Sequence, residues 1–165
     1  MRRVAAAAAS RFTFSAAGVK LFQIEEPDGG PADPSAPGAA IGIDAGSTEL
    51  EVACSIGGNG VVLADREGFE RALLVPAPEA EKAQWQELFE AAKTRAERAL
   101  ARPVSHAVIV LGPSADGDVS GKLRAAAEAA GLEVIRLIRK RELPASSKAA
   151  LAAAVIAEDL APRPE

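Results

Sequence analysis

"IGIDAGSTELEVACS", residues 41–55, decides how the rest of the chain is read. It opens as an apolar run, Ile41-Gly42-Ile43, and resumes one with Leu50, Val52 and Ala53. Between them stand Asp44, Gly46, Ser47 and Thr48. Two buried strands joined by such a turn allow two readings. In one, the turn is an ordinary tight hairpin whose Asp and Ser satisfy nearby backbone groups. In the other, Gly46 lets backbone amides approach an anion and Ser47 and Thr48 add hydroxyl donors. Asp44 then holds a hydrated Mg²⁺ through one oxygen, since Mg²⁺ prefers oxygen ligands and keeps most of its waters. Composition alone favours the hairpin, because such turns are common.

Working outward, residues 40–44 and 49–56 read as strands, and "GGNG", 57–60, as the turn after them. "VVLADR", 61–66, reads as a third strand, with "RALLV", 71–75, as its bulged extension, ended by Pro76 and Pro78. Trp85, Leu88, Phe89, Ala92, Ala96, Ala99 and Leu100 recur at steps of three and four, which predicts a helix over 79–101. Glu79 and Glu81 at its start and Arg95, Arg98 and Arg102 near its end suit the helix dipole, and Pro103 stops it. "HAVIVLG", 106–112, is a continuous apolar run of the kind a central parallel strand shows. A loop, "PSADGD", leads to a helix over 119–130 closed by Gly131. "LEVIRLI", 132–138, is a fifth strand, and 145–160 an Ala-rich helix with Ser146 or Ser147 near its start. The order predicts one α/β domain over 40–160, a mixed sheet with helices on its faces. Residues 161–165 read as a disordered tail.

Upstream, "RFTFSAAGVKLFQI", 11–24, suggests a strand or hairpin. Residues 25–39 hold four Pro and three Gly, which defeats helix and sheet alike, so 1–39 reads as an extension and linker. "MRRVAAAAA" imitates a secretory signal, but its apolar stretch is short, mostly Ala, and broken by Ser10-Arg11. No window approaches the roughly 20 strongly apolar residues of a membrane span.

The 165 residues are 48% hydrophobic, but only 4% aromatic, with one Trp and no Tyr. A core of Ala, Val, Leu and Ile suits close helix–sheet packing. The net charge of −4 argues against nucleic acid as the main partner. One cysteine, Cys54, excludes an intrachain disulfide and any multi-cysteine metal site, and reads as a small buried hydrophobe. These features suit a cytoplasmic protein.

A resemblance adds to this reading. "IGIDAGSTELEVAC" resembles the first phosphate motif of the actin-like ATPase superfamily, nearest the seventy-kilodalton heat-shock chaperones. Residues 101–155 are similar to that family's later strand, the helix ending "AAGLEV", and the following helix start. The resemblance spans about 40–160. It implies a ribonuclease-H-like βββαβαβα fold, the N-terminal lobe of such an ATPase, binding ATP or ADP with Mg²⁺. Carried over residue by residue, Asp44 matches the Mg²⁺-associated aspartate, and Gly46, Ser47 and Thr48 the loop cradling the phosphates. Glu142 falls near the glutamate that orders the attacking water, although Leu143 intervenes before Pro144.

The departures matter as much. The family's lysine near the γ-phosphate has no counterpart; Arg66, Arg71 and Lys82 are only neighbours in sequence. The second phosphate motif and the adenosine motif, which belong to the second lobe, do not occur. One lobe offers half of the electrostatic cage hydrolysis needs. The expectation is therefore a nucleotide-binding lobe that does not turn over ATP alone, completed by a second lobe in trans or by self-association. The alternatives are a degenerate module that binds protein partners without ATP, and a truncated product. Elsewhere, His106 opens an apolar strand and reads as structural, Asp116-Gly117-Asp118 as a turn, and Trp85 as core or interface. "RLIRKRE", 136–142, reads as a solvated basic strand end.

Overall fold

The apolar run expected at the centre of the sheet forms β4 (Val104–Leu111), buried at every position but Ser105. In the computed structural model, which describes residues 38–64 and 71–163, β4 pairs in parallel with β1 (Ala39–Asp44) and β5 (Glu133–Arg139) on its two sides. β1 pairs antiparallel with β2 (Glu51–Ile56), and β2 with β3 (Asn59–Val62). The order is β3-β2-β1-β4-β5, with β2 alone running against the rest. This is the ribonuclease-H-like βββαβαβα arrangement expected from the sequence. The described residues belong to a unit spanning Pro37–Glu165. The readings made for 1–37, 65–70 and 164–165 lie outside the described residues.

Strand alternation assigns the two faces. Ile41, Ile43 and Ala45 of the first strand and its end join Ala107, Ile109 and Leu111 of β4 in one cluster. That cluster packs on α1 (Lys82–Leu100) through Trp85, Leu88 and Phe89, and on α2 (Gly117–Ala129) through Leu123, Ala126 and Ala127. Val108 and Val110 face the other way, onto Ala149, Ala153 and Ala157 of α3 (Ala149–Leu160). Gly42 shares that face. A Cβ there would lie 2.3 Å from Ala154 N and 2.6 Å from Ala150 O, so the helix backbone rests directly on the strand. Ala-rich sequence in α3 and Gly in β1 are two halves of one packing solution.

The β2–β3 connection is a two-residue turn with Gly57 at φ 61° and Gly58 at φ 83°, the left-handed pair that matches hairpin twist. Asn59 and Gly60 are paired strand residues, so β3 begins earlier than 61. The carboxylate of Glu158 on α3 accepts from Ser55 Oγ (2.7 Å), Gly57 N (2.5 Å) and Gly58 N (2.9 Å), tying the helix end to the turn. These donors, Ser55 first, hold the Glu158 carboxyl below its ordinary range. Burial, with the Glu158 charge nearby, pushes the Cys54 thiol up.

Residues 73–75 resume pairing alongside the start of β2: Leu50 N donates to Leu73 O (2.7 Å) and Val75 N to Thr48 O (2.9 Å). α1 begins at Lys82 rather than 79, because the chain turns through Ala77–Ala80, where Ala80 N donates to Ala77 O. α3 begins at Ala149 rather than 145; Pro144–Ser147 form a turn, and neither serine caps the helix. α2 starts at Gly117 with Asp116 as its cap, accepting from Val119 N at 2.9 Å. Its end follows the glycine reading: Gly131 sits at φ 89°, with Leu132 N bonded to Ala127 O and Gly131 N to Glu128 O. His106 is spent inside the sheet. Its Nδ1 meets Ser105 Oγ at 2.7 Å and its Nε2 meets Glu133 Oε1 at 2.8 Å across the β4–β5 pair. Among the described residues no helix is long and apolar enough to cross a membrane.

Candidate functional site

β1, β4 and β5 are parallel, so their C-terminal ends, where open α/β sheets carry ligands, lie along one edge. Three segments meet there: the β1–β2 loop, the β4–α2 loop, and a single 3-10 turn, Lys140–Glu142, after β5.

Asp44 ends β1 with 4% of its surface exposed. Its Oδ1 accepts from Gly46 N at 2.8 Å, a local turn of the side chain onto the backbone two residues on. Its Oδ2 accepts from Ser47 Oγ at 3.2 Å. Lys140 reaches the same loop from the 3-10 turn. Its Nζ donates to Ser47 Oγ at 2.8 Å and stands 3.7 Å from Asp44 Oδ2. The preceding residue, Arg139, donates from its guanidinium to Ala115 O at 2.5 Å. Two consecutive cations therefore hold the two loops of this edge. The expectation of a merely solvated basic strand end is corrected for Arg139 and Lys140: the sheet order brings them onto groups more than twenty and ninety residues away in sequence. Arg136 and Arg141 are exposed.

Gly46 serves a purpose other than anion approach. A Cβ on it would lie 3.0 Å from Gly112 N and from Leu111 C, so its lack of a side chain lets the two loops touch. Ala45 N donates to Val110 O at 2.9 Å, continuing the β1–β4 ladder into that contact. Ser47 and Thr48 are exposed on the tip of the loop. Glu142 is exposed on the same 3-10 turn as Lys140.

A cavity of about 340 Å³ opens beside the loops, lined by Gly46, Ser47, Thr48, Trp85, Ser114 and Leu123 among others. Among the described residues no charged one lines it. Asp44 is absent from its wall because adjacent strand residues face opposite sides: Ala45 turns toward α1 and α2, Asp44 toward the 3-10 turn and α3. The structure thus brings Gly46, Ser47 and Thr48 to the cavity, and leaves Asp44 buried at the strand end with Lys140 and Glu142 on the exposed turn beside it. Trp85, 3% exposed and stacked on Phe89 at 6.1 Å, lines the cavity, and its buried Nε1 has no hydrogen-bond partner among the described residues.

The donor chemistry at Asp44 does not fit a divalent ion. Both carboxylate oxygens already accept protein donors, and an ammonium stands beside Oδ2. Two unit charges 4 Å apart interact by about 4 kcal/mol at an effective dielectric near 20, so Mg²⁺ in place beside Lys140 would meet about twice that in repulsion. The ammonium therefore opposes an ion at this oxygen. Among the described residues no group of three His, Cys, Asp or Glu is arranged to hold a metal.

No protein-family profile and no curated protein matches the chain. Among solved structures it is similar to the ethanolamine utilization protein EutJ from Carboxydothermus hydrogenoformans, with a TM-score of 0.48 and 18% identity. The match covers 68% of this chain and spans 39% of that protein's length.

Proposed function

We propose that this chain is a nucleotide-phosphate-binding lobe of the actin-like, heat-shock-chaperone-like type, completed by a second lobe in trans or by self-association. Alone it does not hydrolyse ATP. One observation carries the reading: Lys140, Ser47 and Asp44, from opposite ends of the domain, converge within hydrogen-bonding and ion-pairing distance at the C-terminal edge of the parallel strands. Exposed hydroxyls of Ser47 and Thr48 beside an exposed ammonium suit a phosphate oxyanion. ADP or ATP is the ligand class that the resemblance of residues 41–54 points to. Glu142, exposed on the turn with Lys140, is the group nearest in sequence to a water-ordering role.

A second reading is favoured by a different observation. The amide of Gly46 and the hydroxyl of Ser47 are already bonded to Asp44, as a closed hairpin would have them. The lobe is then a protein-interaction module that keeps the fold and has lost the nucleotide. Calorimetric titration with ADP and ATP separates the two, with Thr48→Val as a control that spares the Asp44 bonds. Millimolar or tighter binding, weakened at least tenfold by the substitution, supports the lobe. No heat with either nucleotide, from a chain whose circular dichroism and cooperative melting show it folded, supports the module. Light scattering at high concentration tests self-association; a clean monomer leaves only completion in trans.

A further inference from the structure

The disagreement between Asp44 and a divalent ion has a consequence for the ligand. We infer that Lys140 is the resident counter-ion of this site, and that the lobe binds phosphate oxyanions without a metal. The inference rests on the nucleotide-phosphate reading above and specifies its chemistry.

The position of the ammonium is what the argument uses. Lys140 Nζ touches the hydroxyl of Ser47 and pairs with Asp44 Oδ2, the atoms a hydrated cation at this aspartate would face. Its side chain is 46% exposed against 6% for Asp44, so the carboxylate is covered and the cation is presented to solvent. An ammonium has three donors and no acceptor. One is given to Ser47 and the ammonium also pairs with Asp44; among the described residues, its exposed side is left open to an incoming oxyanion. Lys140 is also not poised to drift away. Its neighbour Arg139 is half-buried and fixed on Ala115 O, which anchors the chain just before the 3-10 turn. A divalent ion at Asp44 Oδ2 would meet the charge of this ammonium, so the same lysine that serves the anion opposes a metal there.

The test is calorimetric titration of the full chain with pyrophosphate, ADP and ATP, each in excess EDTA and in millimolar Mg²⁺, for the natural chain and for Lys140→Ala and Lys140→Met. The lysine is on the surface, so both variants are expected to fold; circular dichroism verifies it. The expected result is binding in EDTA as tight as in Mg²⁺, within about twofold. Both substitutions should weaken it at least tenfold in EDTA, with Mg²⁺ restoring part of the loss by entering the vacated position. Comparable affinities for pyrophosphate and ADP would place recognition on the phosphates; tighter ADP binding would add the nucleoside. Binding that appears only with Mg²⁺, or that survives in EDTA without Lys140, overturns the inference and leaves the nucleotide-phosphate reading standing. No binding of any of the three ligands, in either buffer and by any variant, overturns both.

Discussion

Replacing Gly42 by Ala adds one methyl group at the point where α3 rests on β1. The new Cβ would stand 2.3 Å from Ala154 N, 2.6 Å from Ala150 O and 2.7 Å from Ala153 C. All three are backbone atoms, so no side chain can rotate out of the way. Ordinary contact requires the helix to retreat by about 1 Å, a gap that forfeits a quarter to a half of each dispersion contact. α3 holds the sheet through five buried alanines, Ala149, Ala150, Ala153, Ala154 and Ala157. At about 0.8 kcal/mol per buried methyl, losing that fraction costs about 1–2 kcal/mol. Overpacking strain of about 1–3 kcal/mol adds to it, so the expected loss is roughly 2–5 kcal/mol. For a domain of this size that lowers the melting temperature by roughly 10 °C. Gly121→Ala is the matched control: the same methyl, in the exposed middle of α2 with nothing within 4 Å, should stabilise by about 0.5–1 kcal/mol. Urea unfolding followed by far-ultraviolet circular dichroism measures both. If Gly42→Ala falls within about 0.5 kcal/mol of the natural chain, α3 does not sit on β1 as described and the packing argument fails.

Other substitutions probe the edge and the ties around it. Gly46→Ala should cost about 1–2 kcal/mol in urea unfolding, because its Cβ meets the Gly112 backbone at 3.0 Å, whereas Gly112→Ala, whose Cβ would make ordinary contact at 3.5 Å, should change little. Glu158→Gln should remove a pH-dependent contribution. The folded carboxyl lies below its ordinary value of 4.5, so its stabilisation is complete above that pH and is lost as pH falls through the lower folded value. The gap in melting temperature between the natural chain and the variant should therefore narrow on acidification below 4.5, and a gap that stays constant refutes the role given to that carboxylate. Lys122→Met breaks donation to Pro78 O (2.8 Å) and Ala80 O (2.7 Å), ties that hold the cavity's proline wall to α2. It should cost about 1 kcal/mol and raise acrylamide quenching of Trp85, whose fluorescence is read alone because the chain has one Trp.

What was legible in the sequence divides along the range of the interactions involved. β4 showed as a continuous apolar run, and the end of α2 as a glycine, because burial on both faces and a left-handed cap are written in neighbouring residues. Helix starts were less legible. Residues 79–81 carry helix-compatible Glu and Ala yet stay outside the helix, since Pro76 and Pro78 fix the approach and Lys122, from a distant helix, holds the carbonyls at 78 and 80. At Ser146 and Ser147 the sequence offered two good caps, and the backbone used neither; the helix begins where Ala149 and Ala150 first reach the sheet. Packing chose the boundary over local propensity.

The site shows the same division more sharply. Asp44 at a strand end, with Gly and hydroxyls after it, was visible in six residues. Lys140 was not, because nothing near 140 distinguishes a cation that reaches Ser47 from one that points at water. The signal lay in the topology instead. Neighbouring strands are about 4.8 Å apart, so in the order β1-β4-β5 the end of β5 is about 10 Å from the end of β1. A lysine just past β5 spans most of that gap, and the loop at the end of β1 meets it part-way. A parallel fifth strand, once placed beside β4, thus predicts that the first cation after it will face the carboxylate ending the first strand. Arg136, inside the strand and exposed, has no such geometry, whereas Lys140, one residue past the strand end, does. The basic run is therefore two things at once: solvated where β5 is still a strand, and part of the site where the strand stops.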